Sequence, residues 1–370
     1  MSDPTKTQQS ELVGHSIGNG RFELISVLGV GAYGTVYLAR DNATETNYQD
    51  FESNKEPSTS EPKLYAVKCM NKFDPKSRQR AFQRRETLLH SMCSDHSNVV
   101  SIYQVIEDEH LPYLFLLMDY CPGGDLFAMI TQKKRYALQE EHTSSNKASQ
   151  AGLIKLEDGH HTKQRLAMDA TIKHVFNQIL DAVEHCHSLG IYHRDLKPDN
   201  IMCSTDGNTI YLGDFGLATG DRWSKDYGCG SSFYMGPECQ GGLSSRATPY
   251  NTAANDVWSL GVILINLICM RNPWKKATIK DEIFNEYCRD NDFLLKILPI
   301  SRETNAVLKR VFTLRPESRC STRSLRHWVN AIPRLQATPQ EMWQRQNNPK
   351  SCTSFSHIGQ PKPGMVNLLF

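Results

Sequence analysis

Asp195 lies in the run His193-Arg194-Asp195-Leu196-Lys197-Pro198-Asp199-Asn200, and a short spacer leads on to Asp214-Phe215-Gly216. These runs place a candidate base, cations, and an amide and a carboxylate able to hold a metal on two neighbouring loops. Phosphoryl transfer needs such a set. Its transition state carries charge on phosphoryl oxygens, so a protein contributes mainly by holding Mg²⁺, nucleotide and hydroxyl in line. Either tripeptide could arise by chance, whereas both in this order are specific.

The elements that must position these groups can be read upstream. Phe22 to Leu28 has strand composition and runs into Gly29-Val30-Gly31-Ala32-Tyr33-Gly34-Thr35-Val36, and Val36 to Ala39 reads as a second strand. Glycine lets a backbone turn sharply and bring its N–H groups against phosphate oxygens. A strand followed by a helix would instead suggest a dinucleotide fold. Tyr65-Ala66-Val67-Lys68-Cys69 is a short apolar strand with one lysine, able to reach phosphates if a carboxylate orients it. The stretch from Lys76 to Met92 is helix-compatible and offers Glu86 as that partner. Taken alone, both charges would read as solvated surface groups; the neighbouring motifs reverse that reading.

With these motifs in this order, the chain resembles eukaryotic serine/threonine protein kinases over Arg21 to Ile332. The resemblance implies an α+β bilobal fold, with a small antiparallel sheet and one main helix in the N-lobe and a mainly helical C-lobe. It implies that Lys68 anchors the phosphates of ATP, Glu86 holds Lys68, Asp195 is the catalytic base and Lys197 neutralises the γ-phosphate. Asn200 and Asp214 would bind Mg²⁺. Leu28, Gly29, Gly31 and Gly34 would cover the nucleotide, and Val36, Ala66 and Met202 would sandwich its ring. Met118 becomes the gatekeeper, Asp119 to Cys121 a hinge offering backbone groups to adenine, and Asp125 a neighbour of the ribose. His193 would pack on Phe215.

Further along, Gly230-Ser231-Ser232-Phe233-Tyr234-Met235-Gly236-Pro237-Glu238 resembles the segment that receives the acceptor peptide, with Gly236 in place of the usual Ala or Ser. Arg319 is the expected partner of Glu238, and Asp256 resembles the residue that tethers the catalytic-loop backbone. Arg194 precedes the base, where many kinases require a loop phosphate. Here Asp226 is expected to pair with it permanently, leaving Thr219 and Ser224 as alternative acceptors. Asp125 and Asp199 resemble acidic positions that attract arginine upstream of the phosphorylated residue. Leu212 to Thr219, Tyr227 to Ser231, Asn272 to Lys276 and Phe293 to Ser301 resemble the fungal Ran-type kinases, a group with members in meiosis and in nutrient and stress signalling.

Composition agrees with this reading. With 370 residues, 39% hydrophobic, the chain can build a sizeable core, and a net charge of +2 makes neither nucleic acid nor a membrane surface the default partner. No stretch reads as membrane-spanning; the most apolar, Val257 to Met270, reads as a buried helix. Eleven cysteines without paired CxxC spacing read as reduced thiols, and without a leader this implies cytoplasm or nucleus. The expected organisation is an N-terminal extension (1–20), a kinase domain (21–332) and a disordered tail (333–370). The domain divides into an N-lobe (21–118) with a polar insert (42–63), a hinge (119–121) and a C-lobe (122–332) with a second polar insert (136–163). Expected partners are ATP, Mg²⁺ and proteins with Ser/Thr acceptors, and the protein is expected to be a monomer. The alternative is a pseudokinase scaffold or nucleotide-binding interaction module, against which Lys68, Asp195 and Asp214 are all present.

Overall fold

A computed structural model describes residues 12–31, 34–44, 62–108, 111–137, 159–241 and 248–347. The chain divides into two units, Met1–Pro122 and Gly123–Phe370.

The first unit is built on a six-stranded antiparallel sheet: β1 (Ser16–Ile17), β2 (Phe22–Gly31), β3 (Gly34–Asp41), β4 (Leu64–Asn71), β5 (Ile102–Glu107) and β6 (Tyr113–Asp119), in the order β1-β2-β3-β4-β6-β5. The period of two divides the side chains between two faces. On one face Tyr37, Val67, Phe115 and Leu117 pack with Phe22, Leu24 and Ile106. The register places Val36, Lys68 and Leu116 in one cross-strand row and Leu38, Ala66 and Met118 in the next, on the opposite face. Helix α1 (Arg78–Cys93) is capped by Ser77, whose Oγ accepts from the Arg80 N–H at 3.1 Å. Its buried residues Gln83, Glu86, Leu89, His90 and Cys93 recur at helical spacing. Three of these are polar, and two of them close on backbone carbonyls: Gln83 on Asn71 at 2.8 Å and the His90 ring on Val100 at 2.7 Å.

The fold begins before residue 21. Gly14 donates to Leu24 C=O at 2.7 Å, β1 pairs with β2, and Leu12 and Ile17 are buried. Residues 12–20 of the expected N-terminal extension therefore pack onto the sheet through β1. Only the ends of the first insert are described: Asn42 donates to Arg21 C=O at 2.8 Å and Asp41 to Lys63 C=O at 3.0 Å. Residues 45–61 lie outside the described residues, as do 138–158 of the second insert.

The second unit is mainly helical. In order it contains α2 (Leu126–Thr131), α3 (Gly159–Ser188), the hairpin β7 (Ile201–Cys203) and β8 (Ile210–Leu212), the pair β9 (Trp223–Ser224) and β10 (Tyr250–Asn251), α4 (Thr252–Cys269), α5 (Glu282–Arg289), α6 (Phe293–Ile297), α7 (Arg302–Val311), α8 (Thr322–Ala331) and α9 (Pro339–Asn347). Helix α4 is long and apolar enough to cross a bilayer by length and composition, contrary to the sequence expectation, yet 83% of that window is buried inside the protein. It is a core helix, with Trp258 packed against Trp274, Phe284 and Phe312.

The tail expectation is corrected for residues 333–347. Leu335 is fully buried; its N–H donates to Asp169 Oδ2 at 2.9 Å, and its C=O accepts from the Ser301 N–H at 2.9 Å. Thr338 and Glu341 form a reciprocal cap on α9: Glu341 N–H donates to Thr338 Oγ1 at 3.1 Å and Thr338 N–H to Glu341 Oε2 at 2.7 Å. Residues 348–370, including the apolar terminal hexapeptide, lie outside the described residues.

Candidate active site

In the first unit, Lys68 Nζ lies 2.5 Å from Glu86 Oε1, joining β4 to α1 across 18 residues of sequence, and both side chains are largely buried. A charge pair removed from water costs solvation, so it persists only when each ion has its partner. Val36 and Ala66, with Met118, share the sheet face that carries Lys68. The glycine-rich turn is strand on both sides, as expected, with Gly29 paired to Val36 and Gly31 to Gly34. Ala32 and Tyr33 at its tip lie outside the described residues. Gly34 has φ 147°, and a Cβ there would come within 2.1 Å of Cys69 C=O, so only glycine fits. Leu28 is exposed on β2.

Asp119 ends β6, and its carboxylate is already engaged. Oδ2 accepts from the Ser101 N–H at 2.9 Å and Oδ1 from the Tyr103 hydroxyl at 2.5 Å. That hydrogen bond, with burial, pushes the Tyr103 phenol up to about 12. Cys121 is buried, which pushes its thiol up to about 12, and its backbone N–H and C=O make no hydrogen bond among the described residues. A buried backbone group without a partner is uncommon, and adenine is recognised by such groups.

In the second unit, Asp256 on α4 is fully buried and organises the loop. Its Oδ1 accepts from the Arg194 N–H at 2.8 Å, and its Oδ2 accepts from the His193 N–H at 3.0 Å and lies 2.8 Å from His187 Nε2. The cap of α4 is Asn251, whose side chain accepts from Ala254 N–H, so Asp256 is free for this role. Arg194 has φ 66° and Asp214 φ 52°, left-handed conformations that a non-glycine residue holds only when its surroundings impose them. The His193 ring packs 5.1 Å from Phe215, and its Nε2 is 2.9 Å from Gly213 C=O.

Around Asp195 the geometry is asymmetric. Oδ2 accepts from Lys197 Nζ at 2.9 Å and from Asn200 Nδ2 at 3.1 Å, while Oδ1 is buried with no partner among the described residues. Lys197 Nζ also donates to Ser231 Oγ at 2.9 Å. Asn200 donates again to Asp195 C=O at 2.8 Å, which turns its amide oxygen away from these acceptors. Next to the register pair Ile201↔Leu212, Gly213 N–H donates to Asn200 C=O at 2.9 Å, so Asn200 and Asp214 stand at the same end of the β7–β8 hairpin. An amide oxygen and a carboxylate are hard oxygen donors of the kind Mg²⁺ takes, with water and phosphate completing its shell. Met202 on β7 bridges to Asp125. Asp125 caps α2, its Oδ1 accepting from the Ala128 N–H at 2.7 Å. Burial, with Asp199 adding to it, holds the Asp125 carboxyl above its ordinary range. At Gly123 a Cβ would meet Ser204 C=O at 2.1 Å, a close approach that the sequence reading missed although the glycine pair was visible.

Arg194 Nε donates to Leu217 C=O at 2.6 Å, and its Nη1 to Asp226 Oδ2 at 2.9 Å and Ser224 Oγ at 3.3 Å. Burial works against the guanidinium charge, but the Asp226 bond, with Cys229 and Tyr250 nearby, leaves its pKa raised. Thr219 and Ser224 are buried and hydrogen-bonded in this arrangement. Glu238 receives Arg319 bidentately, at 2.5 and 3.1 Å. A Cβ on Gly236 would lie 2.7 Å from both Glu238 oxygens, so glycine leaves room for that carboxylate.

Comparison with known proteins agrees with this geometry. The protein kinase domain family matches residues 22–329. The chain is 39% identical over 350 residues to a negative regulator of sexual conjugation and meiosis from Schizosaccharomyces pombe, covering 89% of this chain and 64% of that protein. It is 30% identical over 362 residues to the serine/threonine-protein kinase VHS1 of Saccharomyces cerevisiae, covering 86% and 71%, and 36% identical over 270 residues to SKS1 of the same yeast, covering 70% and 46%. The chain thus spans about two thirds of the first relative's length and under half of SKS1. A match over most of its residues, with an α+β architecture of the expected kind, makes this chain a member of the protein kinase domain family.

Proposed function

We propose that the protein transfers the γ-phosphoryl of MgATP to Ser or Thr hydroxyls of protein substrates, in the cytoplasm or nucleus and as a monomer. The observation that carries this reading is the Asp195 carboxylate, whose Oδ2 is fixed by Lys197 and Asn200 while Lys197 also donates to Ser231 of the peptide-receiving segment. An acceptor hydroxyl meeting the Asp195 carboxylate gives it a proton as the oxygen bonds to the γ-phosphorus and the bond to the ADP oxygen breaks. Lys197 neutralises charge on the transferring group. Asn200 and Asp214 would hold Mg²⁺, which when bound would offset phosphate charge. Lys68, aligned by Glu86, anchors the nucleotide phosphates. The bond from Lys197 to Ser231 links the base to the peptide-receiving segment and favours a protein substrate over a small molecule. Relatives named as serine/threonine-protein kinases support the acceptor class.

The alternative is a pseudokinase scaffold that binds nucleotide without transferring phosphate. Incubating the purified chain with MgATP and a degenerate peptide array separates the two. Phosphoserine or phosphothreonine on the array supports the enzyme; nucleotide binding without transfer supports the scaffold.

A further inference from the structure

Residues 239 and 240 tie down the peptide-receiving segment just before its start and along its middle. Cys239 C=O accepts from the Gly228 N–H at 2.8 Å, and its thiol donates to Cys229 C=O at 3.5 Å. The Gln240 amide reaches further along: Nε2 donates to Met235 C=O at 3.0 Å and to Ser232 C=O at 3.3 Å. The segment between is a tight turn in which the Tyr234 and Met235 N–H groups both close on Ser231 C=O, at 2.9 and 3.2 Å. Ser231 in turn holds Lys197.

The orientation of the Gln240 amide follows from its neighbours. Two carbonyl oxygens can be satisfied only by the nitrogen end, so Oε1 is turned away and is buried without a partner among the described residues. Leaving a buried acceptor unpaired is costly, so this arrangement persists only if the two carbonyl contacts outweigh it. Tyr234, inside the clamped turn, is buried and hydrogen-bonded through its own C=O to Ser259 Oγ at 2.8 Å. The segment is thus fixed from α4 on one side and by Gln240 on the other.

We propose that Gln240 is a positioning residue for the acceptor peptide, its side-chain amide clamping the Ser232 and Met235 carbonyls so that the segment after Ser231 is set before substrate arrives. This rests on the kinase reading above. It differs from the Glu238–Arg319 pair, which anchors the end of the segment, because Gln240 acts on the turn itself.

The test compares the wild-type chain with Gln240→Leu, which keeps bulk but has no donor, and Gln240→Lys, which keeps a donor within reach of both carbonyls. Peptide KM, ATP KM, melting temperature and amide exchange over 231–236 are measured for each. Gln240→Leu is expected to raise the peptide KM about tenfold, the scale of one lost hydrogen bond that leaves an acceptor unpaired. ATP KM and melting temperature stay put, exchange at Tyr234 and Met235 quickens, and Gln240→Lys restores the peptide KM. An unchanged peptide KM in Gln240→Leu overturns the proposal, as does a parallel shift in ATP KM and melting temperature. If the wild type phosphorylates no peptide, the kinase reading fails, and equal exchange in wild type and Gln240→Leu then overturns the clamp on its own terms.

Discussion

Asp226 Oδ2 lies 2.9 Å from Nη1 of Arg194, the residue immediately before the proposed base, and the two are 32 positions apart in sequence. The arginine is almost completely buried, whereas the aspartate side chain is 68% exposed. An exposed partner is screened, so this is a weaker tie than a phosphate would make, but it is permanent.

The first prediction follows from that pair. Phosphatase treatment leaves activity unchanged, and Asp226→Ala lowers kcat about tenfold by removing a buried cation's partner and loosening the loop. Raised salt weakens the wild type more than Asp226→Ala. Activity assays after phosphatase check this. Silencing by phosphatase, or by Ser224→Ala while Asp226→Ala is harmless, would place control on a phosphate instead.

A second prediction concerns acceptor choice. Asp125 and Asp199 interact electrostatically, and arginine upstream of the acceptor is expected to meet them with charge-assisted bonds, improving kcat/KM about tenfold over alanine. A raised carboxyl pKa means that charge is lost at a higher pH as the solution is acidified. The arginine preference should therefore fade as pH falls through the raised value of Asp125, and Asp125→Asn should make it insensitive to that step. Peptide-array profiles at several pH values measure both, and a preference for acidic residues would refute the assignment.

The tail yields a stability prediction. Leu335→Ala removes a fully buried side chain and should cost about 2–5 kcal/mol, read as a lower melting temperature. Glu341 has its carboxyl held below the ordinary range: burial opposes this, but Arg334 and the Thr338 N–H outweigh it. A folded pKa lowered in this way gives stability that is present above the ordinary value of 4.5 and lost as pH falls through the lowered one. Glu341→Gln should therefore melt earlier than wild type at neutral pH, and the two should converge in acid. Thermal melts across that range decide it.

Much of this architecture was legible because chemistry and periodicity coincided. Lys68 sits at an inward position of an apolar strand and Glu86 on a buried helical face, so their meeting could be anticipated. Asp226 was recognisable as Arg194's partner only through the resemblance, which places the usual loop phosphate beside it. Residues 12–20 pair with the adjacent strand, Ile17 opposite Phe22, through a strand too short to show a period; the burial of residues 333–347 depends on partners far away in sequence, as when Leu335 meets Asp169. One local signal there was overlooked: Thr338-Pro339-Gln340-Glu341 is a capping sequence with proline at the first helical position. The Tyr103–Asp119 bond and the Gln240 clamp carry no pattern at all. A single polar residue that closes on a distant carbonyl or carboxylate looks like any surface residue until the backbone is folded.

The central claim is that Asp195 and Asp214 serve phosphoryl transfer and not the fold. The most direct measurement is single-turnover transfer from radiolabelled ATP to an acceptor peptide by wild type, Asp195→Asn and Asp214→Asn, with melting temperature and nucleotide affinity recorded alongside. The account predicts transfer at least about a hundredfold slower in both variants, with the Asp214→Asn melting temperature close to wild type because that side chain is exposed. Wild-type-like transfer by either variant, or a wild type that binds nucleotide and transfers nothing, would contradict it.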